Sequence, residues 1–252
     1  MAVIHHTTMS PSKLELLTAW LPTRPWFRDS GRAPELSKAG GFRLDDPAGA
    51  VGIEFVLVND SAGPEPITYH VPLTYRGAPL DGAEDALVGT TAHGVLGQRW
   101  VYDATRDPVA VAQIIALLAG QAQPQAQSTS DAPDPSIVVS IGEPSCAATQ
   151  FRSALDTPTH TDIVVGNDRS VRVERVLRPE SATAPNSTAA PGEPAADNQR
   201  PDAPSSNPTR ADSVADSQSA ALTSCATNAA QVTVPWQIIN GSTVRGVVLA
   251  ID

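Results

Sequence analysis

Two stretches, Val51-Gly52-Ile53-Glu54-Phe55-Val56-Leu57-Val58-Asn59 and Ile67-Thr68-Tyr69-His70-Val71-Pro72-Leu73-Thr74-Tyr75, decide the fold. In both, apolar residues recur at near-alternate positions, which is the signature of β-strands rather than helices. Asp60-Ser61-Ala62-Gly63 between them has turn chemistry. Upstream, Gly40–Leu44 reads as a third strand, joined to the first by the turn at Asp45-Asp46-Pro47. Connections this short imply antiparallel neighbours. Before the strands, Ser10-Pro11-Ser12 opens a helix with Ser10 as its N-cap, Leu14, Leu17 and Leu21 on one face and Pro22 at its end. After them a second helix starts near Asp107-Pro108, carries Val109, Val111, Ile114, Ile115, Leu117 and Leu118, and stops at Gly120. The pattern predicts an α+β module over residues 1–120, an antiparallel sheet with flanking helices.

The rest of the chain reads as a β-rich segment interrupted by a disordered insert. Residues 121–136 are a polar, Pro-containing linker. In the block 137–178, Ile137–Ile141 is an expected strand, and Thr161–Val165 and Val171–Leu177 form an expected hairpin turning at Gly166-Asn167-Asp168. From Pro179 to Ser213 there is no Val, Ile, Leu, Met, Phe, Tyr or Trp. Such a segment buries nothing to offset about 1–2 kcal/mol per residue of backbone ordering. Residues 179–218 are therefore read as disordered. In the last block, 219–252, Val232–Ile239 and Val244–Ile251 flank Asn240-Gly241, a strong hairpin signal. Isolated hairpins are marginal in water, so these strands are expected to pair with one another across the insert or to extend the first sheet.

Composition narrows the function. Across 252 residues, 17 basic side chains face 27 acidic ones, a formal charge of −10 that argues against a nucleic-acid surface. Lys13 and Lys38 are the only lysines and neither follows a glycine, which excludes a P-loop. The two cysteines, Cys146 and Cys225, are too few for a Cys-rich zinc site. No run reaches the roughly 18 apolar residues of a membrane span, and the N-terminus lacks a secretory pattern. These features predict a cytoplasmic protein with free thiols.

Candidate chemistry is sparse. His5 and His6 are adjacent and would point apart on a regular element, so they read as a solvated segment. His70 reads as a sheet residue with satisfied hydrogen bonds, and His93 as a loop residue. Cys146 has neither a Gly-x-Ser-x-Gly elbow nor a recognisable partner His. The acid pairs Asp45-Asp46 and Glu84-Asp85 fall in turns, where carboxylates are usually solvated. Exposed aromatic faces can stack on glycans, although indoles are more often buried in cores. Among Trp20, Trp26, Phe27, Tyr75, Trp100 and Tyr102, the candidate binding residues are Trp20, Trp26 and Trp100.

Trp20-Leu21-Pro22-Thr23-Arg24-Pro25-Trp26-Phe27 resembles the opening of the N-terminal cap domain of actinobacterial maltokinases. The similarity runs on through Val51–Asn59, Tyr69-His70-Val71-Pro72-Leu73-Thr74-Tyr75-Arg76, Ala86-Leu87-Val88-Gly89 and Val101-Tyr102-Asp103-Ala104, over about the first 120 residues. It looks closest to stand-alone proteins that carry this domain without a complete kinase. The resemblance implies a link to α-glucan, trehalose and maltose metabolism, with a kinase, trehalose synthase or an α-glucan as partner. In the family's kinases, phosphoryl transfer draws on a His-Gly-Asp pattern followed five residues later by Asn or Gln. His160-Thr161-Asp162 with Asn167 is the nearest match, with Thr161 in place of Gly. On that reading Asp162 would be the base and Asn167 a metal ligand, with ATP and Mg²⁺ as cofactors. The same residues also read as a strand entering a turn. The expectation is a non-catalytic accessory protein without a cofactor; the alternative is a divergent ATP-dependent sugar kinase.

Overall fold

The computed structural model describes residues 9–127, 132–141, 150–166, 169–180 and 230–251. The described residues of the first block form strand β1 (Met9–Ser10), helix α1 (Lys13–Trp20), strands β2 (Leu36–Leu44), β3 (Gly52–Asp60), β4 (Ile67–Arg76), β5 (Leu87–His93) and β6 (Gly97–Asp103), and helix α2 (Pro108–Leu118). The later residues form β7 (Val138–Ser140), β8 (Phe151–Asp156), β9 (His160–Val165), β10 (Arg169–Glu174), β11 (Val176–Leu177), β12 (Gln231–Gln237) and β13 (Thr243–Ile251). One antiparallel sheet has the order β1-β5-β6-β4-β3-β2, with β11 also paired to β4. A second has the order β7-β12-β13-β10-β9-β8.

The expected α+β class with flanking helices gives way to a β-rich fold of two antiparallel sheets and two short α-helices among the described residues. The meander β2–β3–β4 and the helix at Asp107-Pro108 are present as read. The β5–β6 hairpin shows no such alternation in the sequence, because Gly89, Gly94 and Gly97 interrupt it. Helix α1 also begins later than expected. Ser12, not Ser10, is its N-cap: the Ser12 hydroxyl accepts from the Glu15 amide (3.4 Å) while the Glu15 carboxylate accepts from the Ser12 amide (2.7 Å). This reciprocal capping box follows from Ser-x-x-Glu spacing, whereas Ser10 lies in β1. Helix α2 is capped by the Asp107 side chain, which accepts from the Val109 amide, and it ends at Leu118, with Gly120 just past its C-cap at φ +70°.

Both outcomes expected for the later strands occur. β12 and β13 form the hairpin at Asn240-Gly241, with Gly241 at φ +84°, and β13 pairs with β10 across the insert. β11 instead joins the first sheet. The expected single strand Val171–Leu177 is thus divided at Arg175, where the chain leaves one sheet and enters the other. Residues 181–218 of the expected disordered insert lie outside the described residues.

The alternation of β3 separates two cores. Ile53, Phe55 and Leu57 face Phe42, Leu44, helix α2 and the inner face of the second sheet, including Ile163, Val173, Val234 and Trp236. Phe42 and Phe55 stack at 4.3 Å between ring centroids. Val56 and Val58 face the other way, towards Leu17, Leu21, Trp26 and Tyr69. Glycine sets the closeness of the packing at Gly246 of β13. A Cβ there would lie 2.7 Å from the Arg178 carbonyl oxygen and 2.9 Å from the Trp236 ring. Gly246→Ala is expected to lower unfolding free energy by about 1–3 kcal/mol in urea titration, the usual cost of overpacking.

Candidate functional site

A buried polar cluster lies where the edge of β4 forks. β11 pairs with the first half of β4, Val176 with Tyr69 and Leu177 with Thr68. β6 pairs with the second half, beginning at Leu73 opposite Asp103. His70 donates its backbone N–H to the Arg175 carbonyl at 2.9 Å, so the nitrogen of residue 72 faces the same edge, between the two partner strands. Pro72 has no N–H to leave unpaired there.

Arg175 fills this fork with its side chain fully buried. Its Nη2 donates to Asp103 Oδ2 (2.6 Å) and to Thr105 Oγ1 (3.0 Å), and its Nε donates to Thr161 Oγ1 (2.7 Å). Thr161 in turn donates to Asp156 Oδ1 (2.6 Å), and Asp156 Oδ2 accepts from Arg106 Nη2 (3.0 Å). The guanidinium also lies 5.0 Å from the Trp26 ring centroid. Asp103 is wholly buried; burial opposes its charge, but Arg175, the Thr105 amide and Arg106 together outweigh that and hold the carboxyl below its usual pKa.

His70 borders the same fork. Its ring stacks on Phe55 at 5.9 Å, and its Nδ1 lies 2.9 Å from the Glu174 carbonyl, so Nδ1 carries the proton. Burial, and then the nearby Arg175 cation, push its pKa down to about 3. His70 is therefore a neutral imidazole whose Nε2 has no hydrogen-bond partner among the described residues.

Of the residues singled out from the sequence, His70 and Trp26 border this fork, and the others are placed elsewhere. Asp162 is on the outer face of β9, where Oδ1 accepts from Arg172 Nε and Oδ2 lies against His160 Nε2, both at 3.3 Å. Thr161 points inward, to Arg175. Asn167 lies outside the described residues, as do His5, His6, Cys146 and Cys225. Trp20, the last residue of α1, and Trp26 are buried, edge to face at 5.9 Å, with Arg24 over the Trp20 ring. Trp100 is half-buried, opposite Thr90 and Arg76. Asp46 closes its turn by accepting from the amides of Ala48, Ala50 and Val51. His93 Nδ1 accepts from Val95 and Leu96.

With this geometry in view, the comparison with protein families is specific. Residues 20–107 match the maltokinase N-terminal cap domain. No curated protein matches the chain. The matched cap-domain region is about a third of the chain and runs from Trp20 through β2–β6 to Asp107. Asp103, Thr105 and His70 therefore lie inside the match, while Thr161 and Arg175, which complete the fork, lie outside it. Arg175 was missed by reading residue types for catalysis. Its signal is positional: Val171, Val173 and Leu177 point inward at alternate positions, and Arg175 occupies the inward position between them.

Removing the carboxylate strands a buried cation. Asp103→Ala is expected to destabilise the protein by about 3–5 kcal/mol. Arg175→Met in the same background should cost far less than it does alone. A double-mutant cycle in denaturant measures that coupling, and additive effects would show the fork pair to be energetically independent.

Proposed function

We propose that this chain is a non-catalytic accessory protein built on a maltokinase cap-type domain. It acts in α-glucan, trehalose or maltose metabolism by contacting a kinase, trehalose synthase or an α-glucan. The observation that carries this reading is the cap-domain match over residues 20–107. The placement of Asp162 supports the non-catalytic part, because its carboxylate is held by Arg172 and His160 on a regular antiparallel strand. Phosphoryl transfer also draws on cationic groups around the phosphates. Of the two lysines, Lys13 is engaged with Glu54 at 2.6 Å, where Tyr75 and Gln127 also donate.

Thermal shift with ATP–Mg²⁺, maltose, trehalose and soluble glycogen tests the reading, together with co-sedimentation against purified maltokinase and trehalose synthase. The expected result is no shift with nucleotide and binding to one of the enzymes or to the glucan. A ligand bound only to the folded state adds about 2.7 kcal/mol at a hundredfold excess over Kd, so nucleotide binding would be evident. A shift with ATP–Mg²⁺ that Asp162→Ala abolishes would replace this reading with a divergent sugar kinase. Binding to none of these molecules would end it.

A further inference from the structure

We propose that His70 and Arg175 form an acid-sensitive latch, in which protonation of His70 releases Arg175–Leu177 from the edge of β4. The reasoning starts from the charges in the fork. The proton would arrive from solvent at Nε2, since Nδ1 already donates to the Glu174 carbonyl. It would create a second cation beside the Arg175 guanidinium, with Asp103 as the carboxylate that both approach. Asp103 is already engaged by Arg175 and Thr105, with Arg106 Nη1 at 3.7 Å, and Asp156 is taken up by Arg106 and Thr161. From β3 the imidazole meets Phe55, which offers no charge. The Glu174 side chain turns to the outer face with His160, Asp162 and Arg172, so its carboxylate does not compensate the new charge within the fork.

The element that would yield is one of the two shortest strands among the described residues. β11 contributes two ladder residues, and two of the bonds that tie the corner to β4 belong to His70: the His70 amide to the Arg175 carbonyl, and Nδ1 to the Glu174 carbonyl, whereas the Arg175 and Val176 amides are held by the Thr159 carbonyl and not by β4. Lifting it exposes His70 to water, where its pKa returns towards 6.5. The open form then binds a proton that the closed form does not, between pH 6.5 and about 3. The latch is therefore fully stable above pH 6.5 and weakens as the pH falls, by up to tenfold in the closing equilibrium per pH unit.

Hydrogen exchange on the full chain tests this. After correction for intrinsic exchange, protection of the His70 and Leu177 amides, which face across the β4–β11 pairing, is expected to fall by up to tenfold per pH unit from pH 6.5 to 4.5. The Val56 and Val58 amides of β3 should show no such slope. His70→Phe, which keeps a ring against Phe55, should flatten the slope at Leu177. Retention of the slope in that variant would overturn the latch. Should the variant fail to fold, the wild type decides alone: an equal slope at the β3 amides means general acid unfolding and overturns the proposal.

Discussion

The constraint on which the rest of this structure depends is the burial of one guanidinium against one carboxylate. Arg175 and Asp103 are both fully enclosed, and neither is tolerable in that interior without the other. Their contact joins the end of β6 to the corner where the chain passes between sheets. Thr105 and Thr161 supply the remaining oxygen partners from the two sides. The second sheet is thereby attached to the cap-type sheet by a polar contact as well as by the apolar core around Phe42 and Phe55. The apolar part is non-directional and tolerates sliding. The polar part does not.

Much of the architecture was legible in short-range patterns. The β2–β4 meander follows from alternation and turn residues, α2 from Asp107-Pro108 and Gly120, and the terminal hairpin from Asn240-Gly241. Each of these signals acts within a few residues, so the sequence displays it directly. The β5–β6 hairpin and β8 were hidden for a local reason of another kind. Both contain an irregularity, between Leu87 and Gly89 and between Phe151 and Ser153, that breaks the period of two. Which strands become neighbours is a different matter. β10 pairs with β13 and β11 with β4, and no local pattern carries that choice.

The polar fork illustrates the same limit at the level of a site. Arg175 and Asp103 stand 72 residues apart, and only the folded topology makes them partners. The match to a His-Gly-Asp pattern leads instead to Asp162, whose neighbours in space are its neighbours in the β9–β10 ladder. Aromatic residues mislead similarly. Trp20 and Trp26 are conspicuous in the sequence, yet both indoles are buried against each other, and Trp26 packs on Tyr69 as well. A charged residue at an inward-facing strand position is the more informative sign, because burying it requires a partner that must then be found.

Register is where that partnership acts most strongly. Odd-numbered residues from Val171 to Leu177 point inward. A shift of one residue at the corner would bring Glu174 or Val176 to the fork in place of Arg175. Glu174 would set a second carboxylate against Asp103, and Val176 would leave Asp103 buried with no cation. Both alternatives also carry Val171 and Val173 out of the core. Hydrophobic phase and charge pairing therefore select the same register, and the charge term penalises a slip even where the apolar surface could repack. The stability of an ion pair over a well-packed apolar replacement is commonly small, but its intolerance of a wrong neighbour is not. In this fold the buried pair accordingly contributes most by excluding other alignments of the two sheets, and His70, stacked on Phe55 beside Arg175, makes that alignment depend on one imidazole remaining neutral.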